Sequence, residues 1–465
     1  MTTLSAIAVT LQIASSASAA DRIEPFDGAQ RLVTTYYFNW YIDGRTHKRP
    51  AGKVNRNSDK DPVRWAWEPQ YPTGQEPGAA IFGLDDPATW PRKRLPDTSK
   101  WPDSDDFLYH VAELRAMKWV GLDYVLVDLW WPGDFITKDT PTDRTKGRSR
   151  RSRIGAPDRE LAALFEAWRY LDRRGEKPVK LAVFLATPAF RQADLRGDGG
   201  TSDKLLDALW AFYRQFLGEN NYPAVMPCRA LAAIRDPQGR SRLIVNLFLP
   251  RAPGVSDGEW ISRWDASTFS TLRARFEGLA GVRLYLSVNQ YLHGPEAGGW
   301  DGVQADGNVV AISRRAGIVD QEITWHASLA GPCLREDSIA IGCGYFFRHG
   351  GHARPGGNLM NPDGSPRYPR AYRFPNEDDA IGSYERQWQA VLNNPASFQK
   401  QLLVLESWNE LAEGSHLTPA RPEVVRTAEG QYVDRWGEAP TLYLELSRKY
   451  VALWKGKADT PAVEP

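Results

Sequence analysis

Short, continuously apolar runs alternate with helix-periodic segments along most of this chain, and that order restricts the fold more than any other property of its 465 residues. Arg31 to Phe38 (RLVTTYYF) is β-branched and aromatic, the composition of a strand. From Asp106 to Lys118, Phe107, Val111, Leu114 and Met117 recur at steps of three and four, which predicts a helix ended by Gly121. The same reading predicts strands at Leu122–Leu129, Lys180–Ala186, Arg242–Leu249 and Val282–Val288. Helices are predicted at Glu160–Arg173, Lys204–Leu217 and Thr268–Leu279. Beyond this the pattern loosens. A strand is expected within Val303–Ile318 and another at Thr324–Leu329, then a long Gly/Pro-rich loop from Asp337 to Arg373. Helix Tyr384–Leu392 and a last strand, Gln401–Ser407, follow. Ala439–Lys455 closes the pattern as a helix with Leu442, Leu446, Tyr450 and Leu453 on one stripe.

Apolar strands alternating with helices imply a parallel sheet covered by helices, which both open doubly wound sheets and closed barrels satisfy. The expected fold is a (β/α)8 TIM barrel with long elaborated loops on the catalytic face. Polar and aromatic residues gather after successive strands: Asn39–Trp40, Asp128–Trp131 and Asn289–His293. In a barrel those strand ends share one mouth. No Gly-x-Gly-x-x-Gly follows the first strand and no Walker motif occurs, which removes most of the weight from nucleotide-binding sheets. The Pro/Gly/Trp-rich stretch from Tyr41 to Pro102 reads as an excursion of the barrel, so residues 20–460 are expected to form one domain.

Composition narrows the function classes. With 58 Lys+Arg against 57 Asp+Glu there is no basic field to hold nucleic acid or a membrane surface. The chain carries 18 Trp and 18 Tyr, flat rings that suit stacking on sugars as well as burial in a core. Residues 1–19 read as a signal peptide, with an Ala-x-Ala pattern at Ala17–Ala19 but no basic residue ahead of the apolar run. The expected location is therefore secreted or periplasmic, or cytoplasmic if this segment is not a signal. No stretch reads as a membrane span. Cys228, Cys333 and Cys343 make no disulfide scaffold; Cys333 and Cys343 could pair on export, or all three could be separate core residues. Neither Cys-x-x-Cys nor His-Glu-x-x-His occurs, and His349 and His352 alone do not make a metal site, so no metal or cofactor is expected.

The sharpest local feature is QLLVLESWNELAEGSHLTP, residues 401–419. An apolar strand runs straight into Trp408, Asn409, Glu410, Glu413 and His416. Two neighbouring carboxylates are the standard equipment for glycosidic cleavage, one protonated to serve the leaving oxygen and one charged. Mutual repulsion, and burial beside Trp408, would separate their proton affinities into those roles. As Glu-x-x-Glu the pair is also common in surface loops, and only its place at a strand end favours chemistry.

This segment resembles the Trp-Asn-Glu-Trp-x-Glu-Gly-Thr signature of the endo-α-mannosidase and endo-α-mannanase family of glycoside hydrolases and its bacterial polysaccharide-locus relatives. Tyr36-Tyr37-Phe38-Asn39-Trp40-Tyr41 is similar to the family's opening motif, and His110, Met117 and Gly121-Leu122-Asp123 ahead of Trp130–Trp131 extend the likeness. Leu329-Ala-Gly-Pro-Cys333 and Tyr384 with Trp388 add to it. Leu411 departs from the pattern, standing where an aromatic residue is usual. The resemblance implies a (β/α)8 barrel acting with retention on α-linked glycans. Glu410 would then assist attack by the substrate's own 2-hydroxyl, and Glu413 would be the general acid and base.

Around these, Asp128, Asn289, Gln290, Tyr291, His293, Asn409 and His416 are candidates for binding sugar hydroxyls. Tyr37, Trp40, Trp130, Trp131 and Trp408 are candidate stacking rings. Strand alternation sets Glu406 on the side of Trp408 and Glu410, making it a competitor for a catalytic role. The expected partner is an oligo- or polysaccharide; no obligate protein partner is implied. A glycan-binding protein without turnover, or a transferase using the same carboxylates, are the alternatives. Sugar identity and linkage stay open.

Overall fold

The computed structural model describes residues 20–38, 67–69, 107–129, 159–186, 201–219, 223–250, 266–291, 313–324, 332–334, 336–342, 377–410, 415–417, 420–422, 425–426, 432–433 and 442–456. Eight parallel strands succeed one another in chain order: β1 (Leu32–Tyr37), β2 (Tyr124–Leu129), β3 (Lys180–Ala186), β4 (Ser241–Pro250), β5 (Arg283–Tyr291), β6 (Gln321–Thr324), β7 (Ser338–Gly342) and β8 (Leu402–Glu406). Each is hydrogen-bonded to the next from β1 to β6 and from β7 to β8. β8 returns to β1 with Val404 opposite Thr34 and Leu405 opposite Thr35. At the remaining seam, between β6 and β7, the Ser338 hydroxyl donates to the carbonyl of Glu322 at 2.7 Å. The sheet is a (β/α)8 TIM barrel.

Helices α1 (Phe107–Val120), α2 (Arg159–Arg173), α3 (Thr201–Leu217) and α4 (Ala266–Ala280) precede β2 to β5 in turn. Helix α5 (Glu377–Leu392) precedes β8, and α6 (Leu442–Trp454) follows it. Helix α6 packs against both α5 and α1, which completes the ring where the strand order closes. The turn into β2 shows how the sequence fixes a boundary. Gly121, at φ +95°, lets the Leu122 N–H reach the carbonyl of Met117 and its own N–H that of Lys118, satisfying the open end of α1. A Cβ there would meet the Val451 side chain of α6 at 3.2 Å, a tight contact added to the strain of the positive φ.

The regular half of the pattern lies within a few residues of expectation; the later half does not. Residues 313–318 of the anticipated Val303–Ile318 strand form a short helical turn and its exit, and residues 303–312 lie outside the described ones. The barrel strand comes later, at Gln321–Thr324, just ahead of the expected Thr324–Leu329. Ser338–Gly342, expected to open a long loop, is instead β7, buried at every position. Its five residues, SIAIG, are too few and too close to Gly-rich sequence to show a period. On α6 the buried stripe is Leu444, Ser447, Tyr450, Val451 and Trp454, while Leu453 is exposed. Cys228 is a free, buried thiol; Cys343 and the side chain of Cys333 lie outside the described residues, as do residues 1–19.

Candidate active site at the barrel mouth

Alternation along the strands sorts side chains into two faces, and ring contacts identify them. Tyr36 on β1 and Phe184 on β3 are separated by β2, yet their rings are 4.8 Å apart, and Phe184 is 5.2 Å from Phe248 on β4. Rings meet across an intervening strand only where the sheet curls inward, so this face is the barrel interior. The other face meets the helices: the Tyr37 hydroxyl bonds to Nδ1 of His110 on α1 at 2.6 Å.

The register carries the interior face around the barrel. Asp128 lies opposite Phe184, Phe184 opposite Asn246, Asn246 opposite Ser287 and Ser287 opposite Gln321. All five are buried, and the Asn246 amide donates to the Ser287 hydroxyl at 3.0 Å. On β8, Val404 shares its face with Thr34, so Glu406, two residues on, also turns inward and is fully buried. Two carboxylates, Asp128 and Glu406, thus belong to the upper interior, where the other described polar side chains named above are amides and a hydroxyl.

Beyond β8 the chain is held to the end of β1 rather than released. The peptide between Glu406 and Ser407 is cis. The Trp408 N–H donates to the Tyr36 carbonyl at 2.9 Å. Asn409 then mimics a strand with its side chain: its Oδ1 accepts from the Phe38 N–H and its Nδ2 donates to the Phe38 carbonyl, both at 2.8 Å. Asn409–Glu410 pairs with Ser415–His416 as a short antiparallel ribbon, Asn409 opposite His416 and Glu410 opposite Ser415. The Leu417 N–H closes the ribbon onto the carbonyls of Ser407 and Trp408. An aspartate could accept at Oδ1 but not donate, and a leucine could do neither; the amide is what this corner requires.

The expected site residues divide sharply. Asp128 and Asn409 are placed at the mouth as described, and the backbones of Glu410 and His416 are brought together in the ribbon. Tyr37 and Trp408 are fully buried, and both are hydrogen-bonded to α1: Tyr37 to His110, and the Trp408 indole N–H to the Glu113 carboxylate. Neither offers a free ring face, so stacking is not the position in which the structure holds them. Nor does Glu406 share the direction of Trp408: the carboxylate turns into the barrel and the indole toward the helix. Asn289, Gln290 and Tyr291 end β5, opposite Phe248, Leu249 and Pro250; their side chains, and those of Glu410 and His416, are outside what the structure describes. Trp40, Trp130, Trp131, His293, His349, His352 and Glu413 lie outside the described residues altogether.

Four polar residues were not anticipated as parts of this region: Asn246, Ser287, Gln321 and Glu113. Period-two alternation from Asp128 and its register would have found the first three. Glu113 sits off the apolar stripe of α1 and reads as exposed; it is buried because α1 is flanked by α2 and α6 and faces the barrel. Among the described residues no group of three or more His, Cys, Asp or Glu is placed to hold a metal ion. No helix among them is long and apolar enough to cross a membrane.

No protein-family model matches the chain, and no curated protein matches it in sequence. Among solved structures it is similar to a GH99 endo-alpha-mannosidase from Bacteroides thetaiotaomicron, at 12% identity and TM-score 0.46 over 91% of this chain and 97% of that one. It is also similar to a GH5 family lichenase from Caldicellulosiruptor sp. F32, at 10% identity and TM-score 0.33 over 73% and 83%. A GH5 xyloglucanase from Bacteroides ovatus follows at 11% identity and TM-score 0.31 over 75% and 68%. These neighbours are glycoside hydrolases; at such low similarity the strand register, not the likeness, carries the fold.

Proposed function

We propose that this chain is a glycoside hydrolase that cleaves an α-linked glycan at the C-terminal mouth of its barrel, with retention and within the polymer. The observation that supports this most is the clamp of Asn409 on Phe38, which carries the chain directly from the last barrel strand to Glu410 above the polar interior. Catalytic groups in this architecture come from strand ends on that face.

In this reading Glu410 takes the proton of the substrate's 2-hydroxyl as that oxygen closes on the anomeric carbon. Glu413 gives its proton to the departing glycosidic oxygen, and the bond to the leaving sugar breaks. Water then attacks the same carbon and breaks its bond to the 2-oxygen, Glu413 takes a proton from the water, and Glu410 returns its proton to the 2-oxygen. Each carboxyl ends as it began, and two inversions give net retention. Asp128 binds hydroxyls of the sugar held over the interior.

A panel of α- and β-linked polysaccharides, with the anomer of the first product read by NMR, tests the reading. Release of an α-configured reducing end from an α-linked member is the expected result. Cleavage confined to β-linked members, or a first product of inverted configuration, would overturn it. Adding an acceptor sugar separates hydrolysis from transfer.

A further inference from the structure

We propose that Glu113 on α1 is a positioning residue that sets the place of Glu410 by holding the indole of Trp408. The inference rests on the role proposed above for Glu410, but its structural part stands apart from that role.

The bonds described above that hold the ribbon carrying Glu410 to the barrel run along one edge. Trp408 N–H to Tyr36, and the two bonds of Asn409 to Phe38, all run to the end of β1. A ribbon held along one edge can still pivot about it. The Trp408 indole reaches away from that edge to α1, where its N–H donates to Oε2 of Glu113, both side chains having no exposed surface. This bond fixes the ribbon from a second direction. An indole N–H only donates, so it needs an acceptor wherever it is buried, and a carboxylate presents two. One helical turn earlier on the same face, His110 holds the Tyr37 hydroxyl at 2.6 Å, next to the Phe38 backbone that Asn409 grips. Helix α1 therefore ties down both strand ends between which the ribbon is strung. Small displacements of a reacting group are costly in rate, so a support remote from the chemistry can govern turnover.

Three variants separate the parts: Glu113→Ala removes the acceptor, Trp408→Phe removes the donor together with part of the buried ring, and Glu113→Gln keeps an acceptor oxygen at the same reach. Hydrogen–deuterium exchange is read at the amides of Trp408 and Leu417, and turnover on whichever α-linked glycan of the panel the wild type cleaves fastest. Glu113→Ala and Trp408→Phe are expected to speed exchange at both amides by about tenfold or more, with β2 amides unchanged. They should lower kcat about ten- to a hundredfold with KM within about twofold, while Glu113→Gln stays within about threefold of wild type on both readouts. Should Glu113→Ala fail to fold, Trp408→Phe against Glu113→Gln decides. Wild-type exchange at Trp408 and Leu417 in Trp408→Phe would overturn the positioning role, as would a defect confined to KM. If the exchange changes are seen but Glu410→Gln turns over like wild type, the support stands and the role of Glu410 fails instead.

Discussion

Among the described residues, the two ends of this barrel are held together by different chemistry. At the N-terminal end, helix passes to strand within residues 121–123, 174–179 and 281–282, and charged groups meet just ahead of the strands. Asp320 pairs with Arg242 at 2.6 Å and accepts hydrogen bonds from Arg273 and from the Leu286 N–H, each at 2.8 Å. Asp123 joins Lys455 at 2.6 Å to the Val33 N–H at 2.7 Å, tying α6, β1 and β2 into one corner. At the C-terminal end, most of the residues that follow β1, β2 and β7 (39–66, 70–106, 130–158 and 343–376) lie outside the described ones. There the described polar groups are an amide clamp, an indole–carboxylate bond and a girdle of inward side chains. Ion pairs between neighbouring elements fix the frame at one end; at the other, polar groups fix the posture of one short segment. With the function proposed above, the contrast assigns stability and chemistry to opposite faces, as the barrel architecture permits.

Substitutions can break or sharpen that contrast. The largest effect on stability should come from Asp320→Ala, which leaves Arg242 and Arg273 facing each other, each about one-sixth exposed. A loss of about 3 kcal/mol in urea unfolding is expected, with turnover per folded molecule unchanged. A comparable fall in turnover would mean that the two faces are not independent. Asn409→Leu should cost somewhat less, about 2 kcal/mol, for the Phe38 N–H and carbonyl left without the amide, yet it should lower kcat at least tenfold. Equal kcat would detach the clamp from the chemistry.

The smallest effect concerns Asp337, ahead of β7 and 3.0 Å from Arg314. Burial pushes its carboxyl up to about 6, against the pull of Arg314. The folded chain therefore keeps a proton that the unfolded chain gives up from about pH 4. The stabilisation it supplies is complete below the unfolded value and is lost as pH rises through about 6. In Asp337→Asn this pH term disappears. Unfolding free energies measured at pH 4 and pH 7 should shift in the variant's favour by about 1–2 kcal/mol across that interval. Parallel pH curves for the two proteins would contradict the assignment.

How much was legible follows the same division. Strands β1 to β5 and helices α1 to α4 announce themselves because long apolar runs alternate with periodic segments and glycine turns such as Gly121. Strand β7 does not, since five buried residues carry no period and closure of the sheet, not their own pattern, makes them a strand. At the mouth, the place of Asn409 and Glu410 after the last strand was readable from the apolar run that ends there. The inward turn of Glu406 was readable from strand alternation, but the direction of Trp408 was not, because the strand period stops where the chain bends off the barrel edge. Abundant tryptophan was an ambiguous sign. Trp168 donates to the Val179 carbonyl just ahead of β3, and Trp388 on α5 stacks on Tyr450 of α6, so these rings join helix to barrel and helix to helix. Composition alone cannot separate such rings from those that would stack on a sugar.

The most direct test compares Glu410→Gln and Glu413→Gln with wild type for the initial rate of reducing-end release from an α-linked polysaccharide, at matched melting temperatures. Each variant is expected to be slower by at least about 100-fold, the scale of a positioned acid or base. Wild-type rates in both folded variants would contradict the assignment of this mouth as the place where the glycosidic bond is broken.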